Sequence, residues 1–128
     1  MTEQEILDFA ERFVNAIEAG DVATMRACYA PGAGIWHNTD DIVQSVDDNV
    51  KVLNWFIATL PDRRYRVLRR EALKDGFLQQ HVLEATLPDG KPWRMHACVV
   101  VKMENGLIAR LDEYLDSAAR GPLLPFGR

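Results

Sequence analysis

His37, His81 and His96 are the three histidines of this 128-residue chain, and their ordinary pKa makes them the natural starting point for proton chemistry at neutral pH. His37 follows Trp36 in a short extended stretch after Pro31, an apolar setting in which an imidazole can serve as a general base. The alternative for His37 is a strand-end histidine that only bonds backbone. His81 and Glu113 fall in later segments of alternating character. A carboxylate near an imidazole can fix its tautomer and raise its basicity, although a purely structural buried pair would look the same in sequence. His96 reads either as a hydrogen-bond donor to a ligand or as a satisfied core histidine. Cys98 would be a nucleophile only if something ionised it, and is otherwise a small buried thiol. No ligand spacing such as His-x-x-x-His and no phosphate cradle accompanies these groups, so the expectation is no metal and no cofactor.

The elements that must position these residues divide the chain in two. In the first half, Thr2 and Glu5 form a plausible capping box before Ile6, Ala10, Phe13 and Ile17 recur on one helical face. Gly20 and Asp21 separate this helix from a short second one, which runs to about Tyr29 and ends before Pro31. An extended stretch from Ala33 to Asn38 leads to a third helix opened by Ser45 and closed by Pro61. Its buried stripe is Val46, Val50, Leu53, Ile57 and Leu60. The second half reads as four strands, Arg63–Lys74, Phe77–Leu87, Trp93–Glu104 and Leu107–Asp116. Asp75-Gly76, Asp89-Gly90 and Asn105-Gly106 supply the turns between them.

Two-residue loops at the last two turns would set the register of three strands. His81 then lies opposite Cys98 and Cys98 opposite Glu113, with Leu83, His96 and Leu115 in the row on one side and Gln79, Val100 and Leu111 in the row on the other. The other face carries Val99, Val101 and Tyr114. Both faces of the third long strand are apolar, so both need cover. The expectation is that helices cover the ionisable face and a second copy of the chain covers the Val99/Val101/Tyr114 face, giving a homodimer through the outer sheet face. Arg63, Arg64, Arg66, Arg69 and Arg70 read as a solvated, charged edge. The tail from about residue 117, with Pro122 and Pro125, reads as a surface segment.

Composition narrows the partners. Apolar residues make up 48% and charged residues 27%, as in globular proteins. A net charge of −4 argues against nucleic acid, which needs a basic surface. Cys28 and Cys98 form no disulfide framework and read as reduced thiols, giving a cytoplasmic expectation. The N-terminus lacks signal-peptide character, and the longest apolar run, Ala97–Val101, is far too short to span a bilayer.

This order of elements resembles the nuclear transport factor 2-like superfamily, and within it the SnoaL-like and ketosteroid isomerase-like domains. The local marks are Ala19-Gly-Asp-Val22, Ile35-Trp-His-Asn38, Gln80-His-Val-Leu83 and the run Asn105–Asp116, which closes Glu113-Tyr-Leu-Asp116. The resemblance covers nearly the whole chain and implies a single α+β domain over residues 1–128. That domain is a cone-like curved antiparallel sheet of one short and four longer strands packed against three N-terminal helices. It also implies a pocket in which His37 takes the place of the general-base carboxylate of ketosteroid isomerases and Tyr29 that of a pocket tyrosine. Cys98 and Phe13 stand where that family has its oxyanion donors, which argues against steroid isomerisation. His81 and His96 resemble the histidine pair of scytalone dehydratases. Against limonene epoxide hydrolases, His81 stands at the arginine and Leu83 and Glu113 at the two aspartates, so two of three members are lost.

The functional expectation is a cofactor-independent proton-transfer enzyme of isomerase, dehydratase or cyclase type, acting on a small hydrophobic carbonyl compound. His37, His81 and Glu113 would be catalytic, and Tyr29, Trp55, His96, Cys98, Leu111 and Leu115 would touch substrate. The alternative is a non-catalytic domain of the same fold that binds a hydrophobic ligand or serves dimerisation.

Overall fold

The structure, a computed structural model, describes residues 1–127 of the chain. Helix α1 (Glu3–Ala19) opens on the expected capping box, with the Glu5 amide donating to Thr2 Oγ1 and the Thr2 amide donating to Glu5 Oε1. It stops at Gly20, whose φ of 76° is the left-handed cap that favours glycine. Asp21 caps α2 (Val22–Ala27) and Ser45 caps α3 (Val46–Thr59). Strands β1 (Tyr29–His37), β2 (Val43–Gln44), β3 (Arg64–Leu73), β4 (Gly76–Thr86), β5 (Pro92–Glu104) and β6 (Leu107–Leu115) form one curved, unclosed sheet in the order β2-β1-β6-β5-β4-β3. All neighbours are antiparallel except β1 and β6, which run parallel. The α+β class and the packing of helices on one sheet face agree with the sequence reading. The short β2 is an addition, and β1 starts at Tyr29, so Pro31 lies within an extended segment.

The register of β5 differs from expectation. The connection after β4 is three residues, Pro88-Asp89-Gly90, with the Leu87 amide donating to the Lys91 carbonyl and Gly90 at φ 88°. The Asn105-Gly106 turn is the expected two-residue one, with both residues at positive φ, but a bulge follows it. Met103 pairs with Ile108, and Lys102 then pairs with Arg110, leaving Ala109 as the extra residue. Each feature moves the pairing by one residue, and a one-residue slip exchanges the two faces of a strand. The two slips cancel between β4 and β6, so only β5 is inverted. His81 therefore pairs with Ala97, Gln79 with Val99, and Val99 with Glu113.

Val99 and Val101 consequently belong to the main core with Phe9, Phe13, Ile35, Phe77 and Ile108, beneath the helices. His96, Cys98, Val100 and Tyr114 turn to the outer face. The expected dimer face of Val99, Val101 and Tyr114 is thus divided between the two sides of the sheet.

A second core gathers Leu60, Leu83, Leu87, Trp93, Met95 and Leu123. Leu123 comes from the C-terminal 3-10 segment (Ser117–Phe126), so the tail seals a core end as well as running over the surface. Buried indoles need acceptors, and the tail provides them. Trp93 Nε1 donates to the Ala119 carbonyl at 2.8 Å and Trp55 Nε1 to the Phe126 carbonyl at 2.9 Å. Among the arginines, Arg63 is buried and donates to the carbonyls of Ile17 and Leu60, at the ends of α1 and α3. Arg64, Arg66 and Arg69 remain exposed, as the charged-edge reading requires.

Candidate active site

Between the helices and the inner sheet face lies a cavity of about 110 Å³. Its apolar wall comes from α1 (Phe13, Val14, Ile17), α3 (Val52, Leu53, Phe56) and the sheet (Ile35, Val99, Leu111). Its polar groups are Tyr29, His37, Asn49, Tyr65, Gln79, His81 and Glu113.

The parallel pairing of β1 with β6 sets His37 directly beside Glu113. His37 Nε2 lies 3.0 Å from Glu113 Oε1, and both side chains keep a little exposure, 16% and 20%. Asn38 holds this end of the two strands in register. Its side chain accepts from the Leu115 amide and donates to the Leu115 carbonyl, while its own amide donates to the Glu113 carbonyl. A neutral imidazole that donates from Nε2 to a carboxylate carries its free lone pair on Nδ1. The pair can therefore accept a proton at Nδ1, with the carboxylate balancing the charge that forms.

The opposite wall is drier. His81 and Gln79 alternate on β4 and are 4% and 0% exposed. Gln79 Nε2 lies 3.0 Å from His81 Nδ1, and Gln79 Oε1 accepts from Arg70 Nε at 2.8 Å. The His81 ring packs on Tyr65, with centroids 5.1 Å apart. Burial lowers the His81 pKa from its ordinary value of 6.5, Glu113 opposes this, and Arg70 reinforces it. The Glu113 contribution has the sign expected from the sequence, but desolvation outweighs it. Tyr29 and Tyr65 are pushed far above the ordinary phenol range, first by burial and then by the Glu113 charge. Both remain protonated hydroxyls at neutral pH.

Of the nine residues singled out from sequence, the cavity collects His37, His81, Glu113, Tyr29 and Leu111. The other four lie elsewhere. His96 and Cys98 were displaced by the inversion of β5 and line a shallow outer depression with Tyr114. Trp55 is turned to the tail, and Leu115 packs against the second core. Gln79, Tyr65, Asn49, Arg70 and Asn38 were not recognised as site residues. Gln79 was open to recognition, because strand alternation puts it on the His81 face whatever β5 does. No cluster of three or more metal-ligating side chains occurs among the described residues, and no described helix is long and apolar enough to cross a membrane.

Comparison with known proteins agrees with this architecture. The family model of the SnoaL-like domain matches residues 10–111. AclR from Streptomyces galilaeus, provisionally described as a hydroxylase, is 18% identical with a TM-score of 0.85, over 98% of this chain and 87% of its own. Wild-type IdmH from Streptomyces antibioticus, provisionally described as a polyketide cyclase, is 19% identical with a TM-score of 0.80, over 92% and 96%. An M. tuberculosis LEH-like epoxide hydrolase is 16% identical with a TM-score of 0.77, over 96% and 92%. Identities this low establish a shared fold, which hosts different activities. No curated protein matches the chain by sequence.

Proposed function

Since the chain belongs to the SnoaL-like domain family, we propose that it is a cofactor-independent proton-transfer enzyme, of isomerase, dehydratase or cyclase type, acting on a small hydrophobic carbonyl compound. The observation that carries this reading is the His37–Glu113 pair on one wall of an apolar cavity whose other wall presents a dry, neutral histidine. His37 Nδ1 takes the proton from the carbon next to the carbonyl, and Glu113 balances the imidazolium. His81 donates a hydrogen bond to the carbonyl oxygen as it gains enolate charge, supported by the protonated hydroxyls of Tyr29 or Tyr65. The proton on His37 then returns to a different carbon, or to a leaving hydroxyl.

The size of the cavity bounds the substrate. The space, near 110 Å³ and open at a mouth, encloses no more than about a single small ring. Larger substrates extend through the mouth or displace Val52, Leu53 and Phe56 of α3, which are only half-buried. The test is a thermal-shift screen of small ketones and β-dicarbonyl compounds, followed by proton NMR of the hits in deuterated buffer. Hits that stabilise the protein and exchange their α-protons support the enzyme. Stabilisation without exchange in any hit supports the non-catalytic binder that the apolar lining also suits.

For the expected homodimer we propose the corrected surface, the outer face where Leu68, Val100 and Tyr114 are exposed. Light scattering should give a dimer mass, and a monomer at all concentrations would contradict it.

A further inference from the structure

We infer that Arg70 and Gln79 are positioning residues that lock His81 in the tautomer with its proton on Nε2. The inference rests on the reading of His81 as a donor to the ligand, and extends it to the side chains that hold the other nitrogen of that ring.

The argument is one of donor and acceptor inventory. An amide side chain can be turned either way, and an imidazole can hold its proton on either nitrogen, so the contact between Gln79 and His81 alone is ambiguous. Arg70 removes the ambiguity. A guanidinium only donates, so the Gln79 atom 2.8 Å from Arg70 Nε must be the carbonyl oxygen. The amide nitrogen is then the atom 3.0 Å from His81 Nδ1, and it too can only donate. Nδ1 must accept, which leaves the proton of the neutral ring on Nε2. Gln79 is fully buried and His81 nearly so, so an incorrect pairing would leave two amide or imidazole N–H groups facing each other without water to relieve them. The same arrangement resists a second proton, because an imidazolium would point Nδ1–H at the Gln79 amide protons.

The consequence separates the two cavity histidines. His37 gives its Nε2 to a carboxylate and keeps Nδ1 for accepting a proton. His81 accepts at Nδ1 and keeps Nε2–H for donating. Glu113, His37, Tyr29 and Tyr65 are the other titratable groups of this cavity, and Arg70 stands behind Gln79 as a fixed positive charge.

Nitrogen-15 long-range correlation NMR at pH 7.5 tests this on the ligand-free protein, with the His81 signals assigned by comparison with His37→Gln and His96→Gln. The wild type should show a single His81 tautomer protonated on Nε2. In Arg70→Met the Gln79 amide is free to turn, and the two tautomers should mix. In Gln79→Glu the carboxylate accepts from both neighbours, the His81 proton should move to Nδ1, and kcat should fall roughly a hundredfold with KM little changed. A wild-type His81 protonated on Nδ1, or on both nitrogens, overturns the inference. So does an unaltered tautomer in Arg70→Met, a test that holds even if Gln79→Glu does not fold. None of the NMR outcomes depends on turnover, so a failed activity assay with the expected tautomer counts against the proposed reaction and not against the lock.

Discussion

The inner and outer faces of the sheet carry nearly the same inventory, a histidine, valines, glutamine and an aromatic ring, yet only one face is built for chemistry. On the inner face His81 is 4% exposed, bonded to a buried glutamine, and covered by helices. On the outer face His96 is exposed, beside Cys98 and Tyr114. The residue types do not distinguish the two sets. What distinguishes them is exclusion of water, which lowers the basicity of His81 and makes the hydroxyls of Tyr29 and Tyr65 harder to ionise.

The largest effect expected from this contrast is on folding. Val99→Lys places a charge among the core side chains between Gln79 and Glu113, and should cost about 4 kcal/mol or more, enough to abolish cooperative unfolding. Val100→Lys, one residue on, should keep the fold and disturb only association. Urea titrations of the pair decide the orientation of β5, and equal tolerance of both would break the comparison.

Next in size are the catalytic losses. His37→Ala and Glu113→Gln should each reduce α-proton exchange by about 10²–10⁴-fold while the circular dichroism spectrum is retained. An active Glu113→Gln enzyme would show that the carboxylate only ties β1 to β6.

A smaller effect concerns pH. The His81 pKa is lowered in the folded state, so between that value and the ordinary 6.5 the unfolded chain binds more protons. This histidine therefore costs stability as the pH falls below about 6.5, and the cost is absent above it. Denaturant midpoints at pH 5 and 7.5 should differ less in His81→Leu than in the wild type. An unchanged difference would remove His81 from the acid response.

The smallest effects belong outside. Cys98→Ser, Arg66→Ala and Arg69→Ala should leave both the melting temperature and exchange unaltered, since the arginines make only exposed ion pairs and Cys98 is a half-buried thiol on the outer face. Loss of ligand binding in an arginine variant would instead mark the edge strand as an anion site.

The same strand explains what could and could not be read from the sequence. Helix caps and hairpin dipeptides are local chemistry, so Thr2/Glu5, Ser45, Gly20 and Asn105-Gly106 announced their elements correctly. Register depends on the count of residues in a loop and on bulges. Pro88 is a legible signal, since proline has no amide to give a ladder and Pro-Asp-Gly is a turn signature, but the extra Ala109 has no distinctive side chain. Both slips fell on β5, and their cancellation kept His81 and Glu113 on one face while exchanging Cys98 for Val99. The parallel neighbour β1 lies far from β6 in sequence, so the contact between His37 and Glu113 was beyond reach of turn geometry. Tertiary packing also decided Trp55, which helical periodicity left free to face either the cavity or the tail.

The central claim is that His37 moves a proton at the carbon next to a carbonyl, which His81 holds. The direct measurement is proton NMR of α-deuterium incorporation into a thermal-shift hit, comparing wild type, His37→Ala and His96→Gln at equal concentration. The account predicts incorporation in wild type and His96→Gln at the same rate, and incorporation near the buffer rate in His37→Ala. Exchange that survives in His37→Ala, or that is lost in His96→Gln, would contradict it.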